Sequence, residues 1–248
     1  MSQPAGADSS SGPAQFTTTR WTVVLRAAGP DDQRLDALEQ LCRVYWPPLY
    51  AFMRRQGHSP EMAEDIVQGF FERFLAKDYL RSVDPDKGRF RSFLLAALRH
   101  YAANVRRDGR TERRGGGAVF LDVHEPGVAG RCEAALQADS RPEVVFDRVW
   151  AETVMDSAAR RVRAEYCDDG KGALYEVIRA WLATEARPGD YGTAAPSLGM
   201  SEGAVATAVH RLRQRFRQLV RAEVAHTVQS PAEVDDEMKY LLEVLTAV

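Results

Sequence analysis

The sequence has few of the residues that build disulfide scaffolds or membrane spans. Three cysteines, at positions 42, 132 and 167, stand among its 248 residues, and no two form a CxxC pair. This count fits neither a disulfide framework nor a four-thiolate metal site. No apolar run reaches the ~18 residues that cross a bilayer, and the N-terminus lacks the charged head and apolar stretch of a secretion signal. These absences predict a cytoplasmic protein with reduced thiols and no membrane partner.

Motifs that mark common enzyme classes are also missing. The sequence contains no GxxxxGK[ST], GxGxxG or GxSxG segment. The five histidines show no HExxH or HxxxH spacing and do not cluster with the cysteines; they stand at positions 58, 100, 124, 210 and 226. We therefore expect no catalytic residue, no metal and no cofactor. A site assembled only in three dimensions stays open.

The overall charge of the chain is too close to zero to attract a polyanion such as a nucleic acid. The formal net charge is −2, with 33 Lys plus Arg against 35 Asp plus Glu. A nucleic-acid partner would therefore have to be bound by local basic patches. Arginine outnumbers lysine 29 to 4, which a GC-rich coding bias would also produce without selection for nucleic-acid binding.

Helix-capping residues along the chain favour helices throughout. Ser59-Pro60, Ser140 to Glu143 and Ser230 to Glu233 each offer a helix start, the last two as capping boxes. Periodicity predicts an all-α protein with helices at about 34–56, 60–77, 88–107, 142–166, 171–185, 191–198, 202–226 and 231–246.

The spacing of these helices predicts two small helical domains joined by a flexible linker. About 35 residues, with several glycines and a proline, separate the third helix from the fourth, which is too long for a connection within one compact domain. We expect a disordered tail at 1–16, domains at 17–113 and 142–229, the linker at 114–141, and an acidic helical extension at 230–248.

The third predicted helix combines an apolar sector with a basic one. Its basic sector contains Arg91, Arg99, Arg106 and Arg110, and residues 99–114 hold six Arg against Asp108 and Glu112. Its apolar sector contains Phe93, Leu94, Ala97, Leu98, Tyr101 and Val105. This density of arginine suits phosphate contacts. A solvated amphipathic helix would look the same.

Residues 191–224 predict a helix-turn-helix, the second domain's central element. Gly199 can end a short helix in the left-handed conformation, and Ser201 can cap a long second helix. Five Arg and no acid lie between Ala206 and Ala222, opposite a buried seam of Val205, Val209, Leu212, Phe216 and Leu219. This favours DNA in the major groove. The alternative is a helical hairpin with a solvated arginine face.

These elements, in this order, resemble the extracytoplasmic-function type of RNA polymerase sigma factor of the sigma-70 family. The resemblance rests on ALEQLCRVYWPPLYAFMRRQGHSPEMAEDIVQGFFERFL, FRSFLLAALRHYAANVRR and YGTAAPSLGMSEGAVATAVHRLRQRFRQLV. It implies a non-enzymatic factor that binds core RNA polymerase and directs promoter recognition and transcription initiation. It also leaves open an anti-sigma protein or a regulatory kinase as a further partner.

The resemblance assigns the first domain two sets of functional residues. Core polymerase would be bound by Glu64, Asp65 and Gln68. The minus-ten promoter element would be bound by Phe90, Arg91, Phe93, Arg99, His100, Tyr101, Arg106 and Arg107. Two positions depart from the family pattern. Gly69 replaces a Glu and would weaken the helix or the polymerase contact by ~1 kcal/mol, and His100 replaces the usual base-reading Asn.

In the second domain the resemblance assigns minus-thirty-five DNA contacts to Thr207, His210, Arg211 and Gln214. Ala206 stands where the family often has an Arg, which removes a guanine contact worth ~1 to 3 kcal/mol. Pro196 lies inside the first helix of the motif and costs ~3 kcal/mol unless that helix begins near Thr193. We therefore expect the later start.

Two further alternatives concern the whole chain and its C-terminus. A stand-alone helix-turn-helix regulator would bind duplex DNA without polymerase, and it would have no use for Glu64, Asp65 and Gln68. The C-terminal extension carries an apolar stripe of Val234, Met238, Leu241, Leu242 and Leu245 among acidic residues. It would either complete the core of the second domain or cover Arg213, Arg217 or Arg221 and compete with phosphates.

Overall fold

A computed structural model describes residues 31–74, 90–108, 132, 134–136, 141–225, 228 and 231–246. For residues 31–41, 108 and 231 it describes the backbone alone. Every regular element within these ranges is a helix, which confirms the all-α prediction. The α-helices are α1 (Asp31–Arg55), α2 (Pro60–Phe74), α3 (Phe90–Asp108), α4 (Pro142–Asp168), α5 (Gly172–Ile178), α6 (Asp190–Leu198), α7 (Glu202–Ala225) and α8 (Val234–Thr246). Short 3-10 turns cover Arg179–Trp181 and Pro231–Glu233.

Local capping chemistry accounts for the start of α2. The Met62 amide donates to Ser59 Oγ at 3.3 Å, so Ser59 caps α2 and Pro60 occupies its first turn. Arg141 holds the N-cap position of α4 without a side-chain cap, and Pro142 follows it in the first turn. Ser140, on which the predicted capping box depends, lies outside the described residues. Ser230 lies outside the described residues.

Helix α6 begins earlier than expected. It starts at Asp190, so the predicted start near Thr193 is wrong. Asp190 Oδ2 accepts hydrogen bonds from the Arg187 amide at 2.8 Å and from the Trp181 indole at 3.4 Å, which fixes the earlier start through a tertiary contact. Pro196 consequently lies in the last turn of the helix, where it removes one hydrogen bond.

One continuous hydrophobic core joins most of the helices. Helix α4 packs along α1 and also contacts α7 and α8. Its buried Phe146, Trp150 and Val154 belong to the same cluster as Phe52 of α1 and Leu212 of α7. The division into two domains stays a prediction, and most of the predicted linker lies outside the described residues.

The C-terminal helix α8 completes this core. Val234 and Leu241 are buried, whereas the expectation for Leu242 is wrong because that side chain is 54% exposed. Glu237 is buried in its place, at 1% exposure. Arg221 pairs with Asp235, but Arg213 donates to backbone carbonyls elsewhere. Burial of Val234, Leu241 and Glu237 supports the packing alternative for the extension. The pair between Arg221 and Asp235 is a contact of the kind that the covering alternative required, so both alternatives stay predictions.

Candidate nucleic-acid interface

Helix α2 separates a polar outer face from an apolar inner one. Ile66, Phe70 and Phe74 are buried. Asp65 and Gln68 are exposed and Glu64 is half-buried. The Gln68 amide donates to Glu72 Oε1 at 3.3 Å. The three residues assigned to the polymerase contact are therefore available on the surface of one helix.

Gly69 allows a close approach between α2 and α3. A methyl group built on Gly69 would overlap the hydroxyl of Tyr101 and lie 3.4 Å from its Cζ. The Tyr101 ring meets Phe70 edge-on, with 6.0 Å between centroids. Burial raises the pKa of Tyr101 above its ordinary value. Tyr101 therefore occupies the space that a side chain at position 69 would fill.

A small cavity opens between α2 and α3 beside Tyr101. Its volume is about 130 Å³, and its walls are Phe70, Arg73, Phe74, Ala97, His100, Tyr101 and Asn104. His100 is exposed, and Tyr101 is half-buried. Sequence reasoning missed Arg73 and Asn104 as parts of this site. Asn104 follows His100 by one helical turn, a spacing that could have revealed it.

The cationic face predicted for α3 is only partly free. The expectation that Arg91 belongs to an exposed sector is wrong, since Arg91 is 5% exposed and pairs with Glu237. Arg99 is exposed but pairs with Glu143 of α4. Arg106 and Arg107 are exposed at the end of α3. Within the described residues, Arg106 and Arg107 make no ion pair with α4 or α8.

The aromatic residues assigned to the minus-ten element differ in their exposure. Phe90 is wholly buried between Tyr45 and Phe74, at centroid distances of 5.2 and 6.4 Å, so it has no surface to offer a base. Phe93 and Tyr101 are half-buried and each retains an exposed part. We leave Phe90 out of the nucleic-acid surface.

Helices α6 and α7 are joined by the turn that the sequence predicted. Gly199 is left-handed at φ 61°, and the amides of Gly199 and Met200 donate to the carbonyls of Pro196 and Ala195 at 3.2 and 3.1 Å. Ser201 Oγ accepts from the Ala204 amide at 3.3 Å. The predicted seam on α7 is confirmed, because Val205, Val209, Leu212, Phe216 and Leu219 are all buried.

The five arginines of α7 fall into two groups. Arg213 donates to the carbonyls of Trp181 and Thr184 at 2.8 and 2.7 Å. Arg215 makes a bidentate pair with Glu165 at 2.7 and 2.6 Å, which lowers the pKa of that carboxyl. Arg221 pairs with Asp235. Arg211 and Arg217 are exposed and make no ion pair within the described residues.

The free arginines border the residues assigned to DNA. Thr207, His210, Arg211 and Gln214 are all exposed on α7. A groove of about 380 Å³ runs beside them, lined by Tyr191, Ala206, Val209, His210, Arg213, Gln214 and Arg217. Tyr191 and Arg217 were not among the predicted site residues. Ala206, which replaces a larger residue of the family, forms part of the groove wall.

The described ranges contain no group of histidine, cysteine or acidic side chains arranged to hold a metal. No helix within these ranges combines the length and the apolarity that a bilayer span requires.

Comparison with known families gives a match in the first half of the chain. Residues 41–112 match the family Sigma-70 region 2, which places most of α1 and all of α2 and α3 in that domain. The match covers under a third of the chain. Comparisons with curated proteins and with solved structures gave no match. The domain supports a role in RNA polymerase binding and promoter melting, the work of transcription initiation factors rather than enzymes.

Proposed function

We propose that the protein is a sigma factor of the extracytoplasmic-function type, which binds core RNA polymerase and directs it to promoters. The observation that carries this proposal is the Sigma-70 region 2 match at residues 41–112. It contains both the exposed polar face of α2 and the cavity at His100. Such a factor would act with polymerase in the cytoplasm.

The polymerase contact in this proposal is the outer face of α2. Asp65 and Gln68 carry no core packing, since both are exposed, and Glu64 borders them. Exposed polar residues on a rigid helix suit an interface whose partner supplies basic groups. Gly69 is turned to Tyr101 and does not enlarge this face.

The minus-ten contact is the surface around His100. Its cavity has an aromatic wall from Tyr101 and polar groups from His100 and Asn104, which suit stacking and hydrogen bonding of an unstacked base. Arg106 and Arg107 lie farther along the same helix for phosphates. Arg99 would reach a phosphate only by leaving Glu143.

The minus-thirty-five contact is the outer face of α7, which lies outside the matched residues. Thr207, His210, Arg211 and Gln214 face solvent there, and Arg217 adds a cation. The Thr207 hydroxyl donates to the Gly203 carbonyl at 2.9 Å, so its methyl group and an oxygen lone pair remain for DNA. We assign the domains to 17–113 and 142–229. Control by an anti-sigma protein or a kinase stays a prediction of the resemblance.

Capture by core polymerase tests this function. The double variant Asp65→Ala with Gln68→Ala should lose affinity about tenfold or more, because interface residues at the centre of a contact carry most of its energy. Its unfolding midpoint should stay unchanged. Glu185→Ala, at an exposed position between α5 and α6, is the control and should bind normally. Equal affinity of all three proteins would remove α2 from the interface.

A further inference from the structure

The guanidinium of Arg91 is enclosed by two helices that lie outside the Sigma-70 region 2 match. It stacks 4.9 Å from the ring centroid of Trp150 on α4 and 4.4 Å from that of Tyr240 on α8. Its Nη1 donates to Glu237 of α8, which is 1% exposed. Two aromatic faces and a carboxylate thus hold a cation that is only 5% exposed.

A second carboxylate ties this arrangement to α4. Arg91 Nε lies 3.5 Å from Asp147 Oδ1, and the Tyr240 hydroxyl donates to Asp147 Oδ2 at 2.6 Å. Burial and the neighbouring Asp147 raise the pKa of Tyr240 to about 12, so its hydroxyl remains a donor at neutral pH. We call Arg91, Asp147, Trp150, Glu237 and Tyr240 the Arg91 cluster.

Helix α4 also reaches a second arginine of α3. Glu143, one turn before Asp147, pairs with Arg99. Carboxylates from α4 and α8 therefore neutralise two arginines of the helix that is proposed to bind the opened promoter strand. A guanidinium that is enclosed by a carboxylate and two rings has no access to a phosphate.

We propose that α8 is an acidic clasp that masks Arg91, and that binding of single-stranded promoter DNA requires α8 to leave. This inference rests on the proposed function. Release of α8 would remove Glu237 and Tyr240 and open that side of Arg91 to phosphates, while Asp147 and Trp150 of α4 would remain beside it. Phe90 would stay packed between Tyr45 and Phe74 of its own domain. Arg91 then becomes the DNA contact that the resemblance assigned to it.

The docking of α8 is suited to reversal. The helix is 13 residues long and buries the aliphatic side chains Val234 and Leu241 together with the charged Glu237. A helix of this length is marginal when undocked, so release of α8 also exposes its backbone amides to exchange. A buried ion pair offsets much of its attraction by desolvation, so phosphates can replace Glu237 with a small net change in free energy.

The test uses the full chain and a pool of random single-stranded DNA oligonucleotides. Glu237→Gln removes the charge with little change of shape. Glu243→Gln is the matched control, because it makes the same change of charge at an exposed position of α8 whose pairing is with Lys239. Anisotropy titration measures DNA affinity, and hydrogen exchange of residues 234–246 measures release of α8 without reference to DNA.

Glu237→Gln should speed exchange of α8 and tighten DNA binding about tenfold relative to Glu243→Gln, because a hydrogen bond between charged groups is replaced by a weaker one. Adding Arg91→Gln should abolish the gain. Tyr240→Phe, which keeps the ring, should act in the same direction to a smaller extent. Gains in Glu237→Gln that survive Arg91→Gln would overturn the masking of Arg91.

Two other results would also overturn the clasp. One is unchanged exchange of α8 in both Glu237→Gln and Tyr240→Phe. The other is release of α8 without tighter strand binding. Failure of the proposed function has a different signature, since core polymerase would then fail to bind the wild type whatever the state of α8.

Discussion

The contact between Gly69 and Tyr101 predicts that Gly69→Ala has opposite effects on stability in the presence and in the absence of the Tyr101 hydroxyl. Alanine in place of an interior helical glycine stabilises by ~1 kcal/mol, through the conformational entropy of the unfolded chain and helix propensity. At position 69, however, the new methyl group would overlap the Tyr101 hydroxyl. Displacing a packed ring costs ~1 to 3 kcal/mol. Gly69→Ala should therefore lower the free energy of unfolding by ~0 to 2 kcal/mol.

Removal of the hydroxyl reverses this balance. In a Tyr101→Phe background the nearest atom to the new methyl is Cζ at 3.4 Å, a contact that a slight shift accommodates. Gly69→Ala should then raise the free energy of unfolding by ~1 kcal/mol, the propensity gain alone. The coupling between the two sites should be ~1 to 3 kcal/mol.

Urea unfolding followed by circular dichroism at the helix band gives all four free energies of this double-mutant cycle. The single variant Tyr101→Phe serves as the reference for the second pair. If Gly69→Ala stabilises the protein equally in both backgrounds, Tyr101 does not occupy the space beside Gly69 and the proposed walls of the His100 cavity are wrong.

Two further predictions concern charge. Arg211→Gln or Arg217→Gln should weaken binding to duplex promoter DNA and reduce the slope of log affinity against log salt by ~1 each. Arg215→Gln, which breaks the pair with Glu165, should lower stability and leave the slope unchanged. Equal slopes in all three variants would contradict the division of these arginines into free and paired ones. Because the folded-state pKa of Tyr240 is raised from 10.0 to about 12, its contribution to stability is present below pH 10 and is lost as pH rises towards 12. Unfolding titrations should therefore show a smaller loss of stability at alkaline pH in Tyr240→Phe than in the wild type. An identical loss would show that the Tyr240 hydroxyl is not its source.

Local chemistry made most of the helices predictable. Ser59, Gly199 and Ser201 mark helix ends through hydrogen bonds to residues within five positions, and these bonds are present. The seam of α7 repeats at helical spacing and is buried. Such features depend on neighbours in the sequence, so the sequence contains the information needed to place them.

Long-range partners account for the errors. Arg91 shares a helical sector with exposed arginines, but its partner Glu237 lies 146 residues away, so no local pattern marked it as buried. The start of α6 depends on Trp181 and Arg187, which precede the helix and hold Asp190. The amphipathic pattern of α8 predicted that Leu242 is buried. The helix instead buries Glu237, which pairs with Arg91 in the Arg91 cluster, and leaves Leu242 exposed.

Run-off transcription from a pool of genomic promoters, with purified core RNA polymerase, tests the central claim most directly. The account predicts transcripts with defined starts from a subset of promoters when the protein is added, and their loss with the Asp65→Ala and Gln68→Ala double variant. Duplex binding without any transcript that depends on the protein would contradict a sigma factor and favour a stand-alone helix-turn-helix regulator.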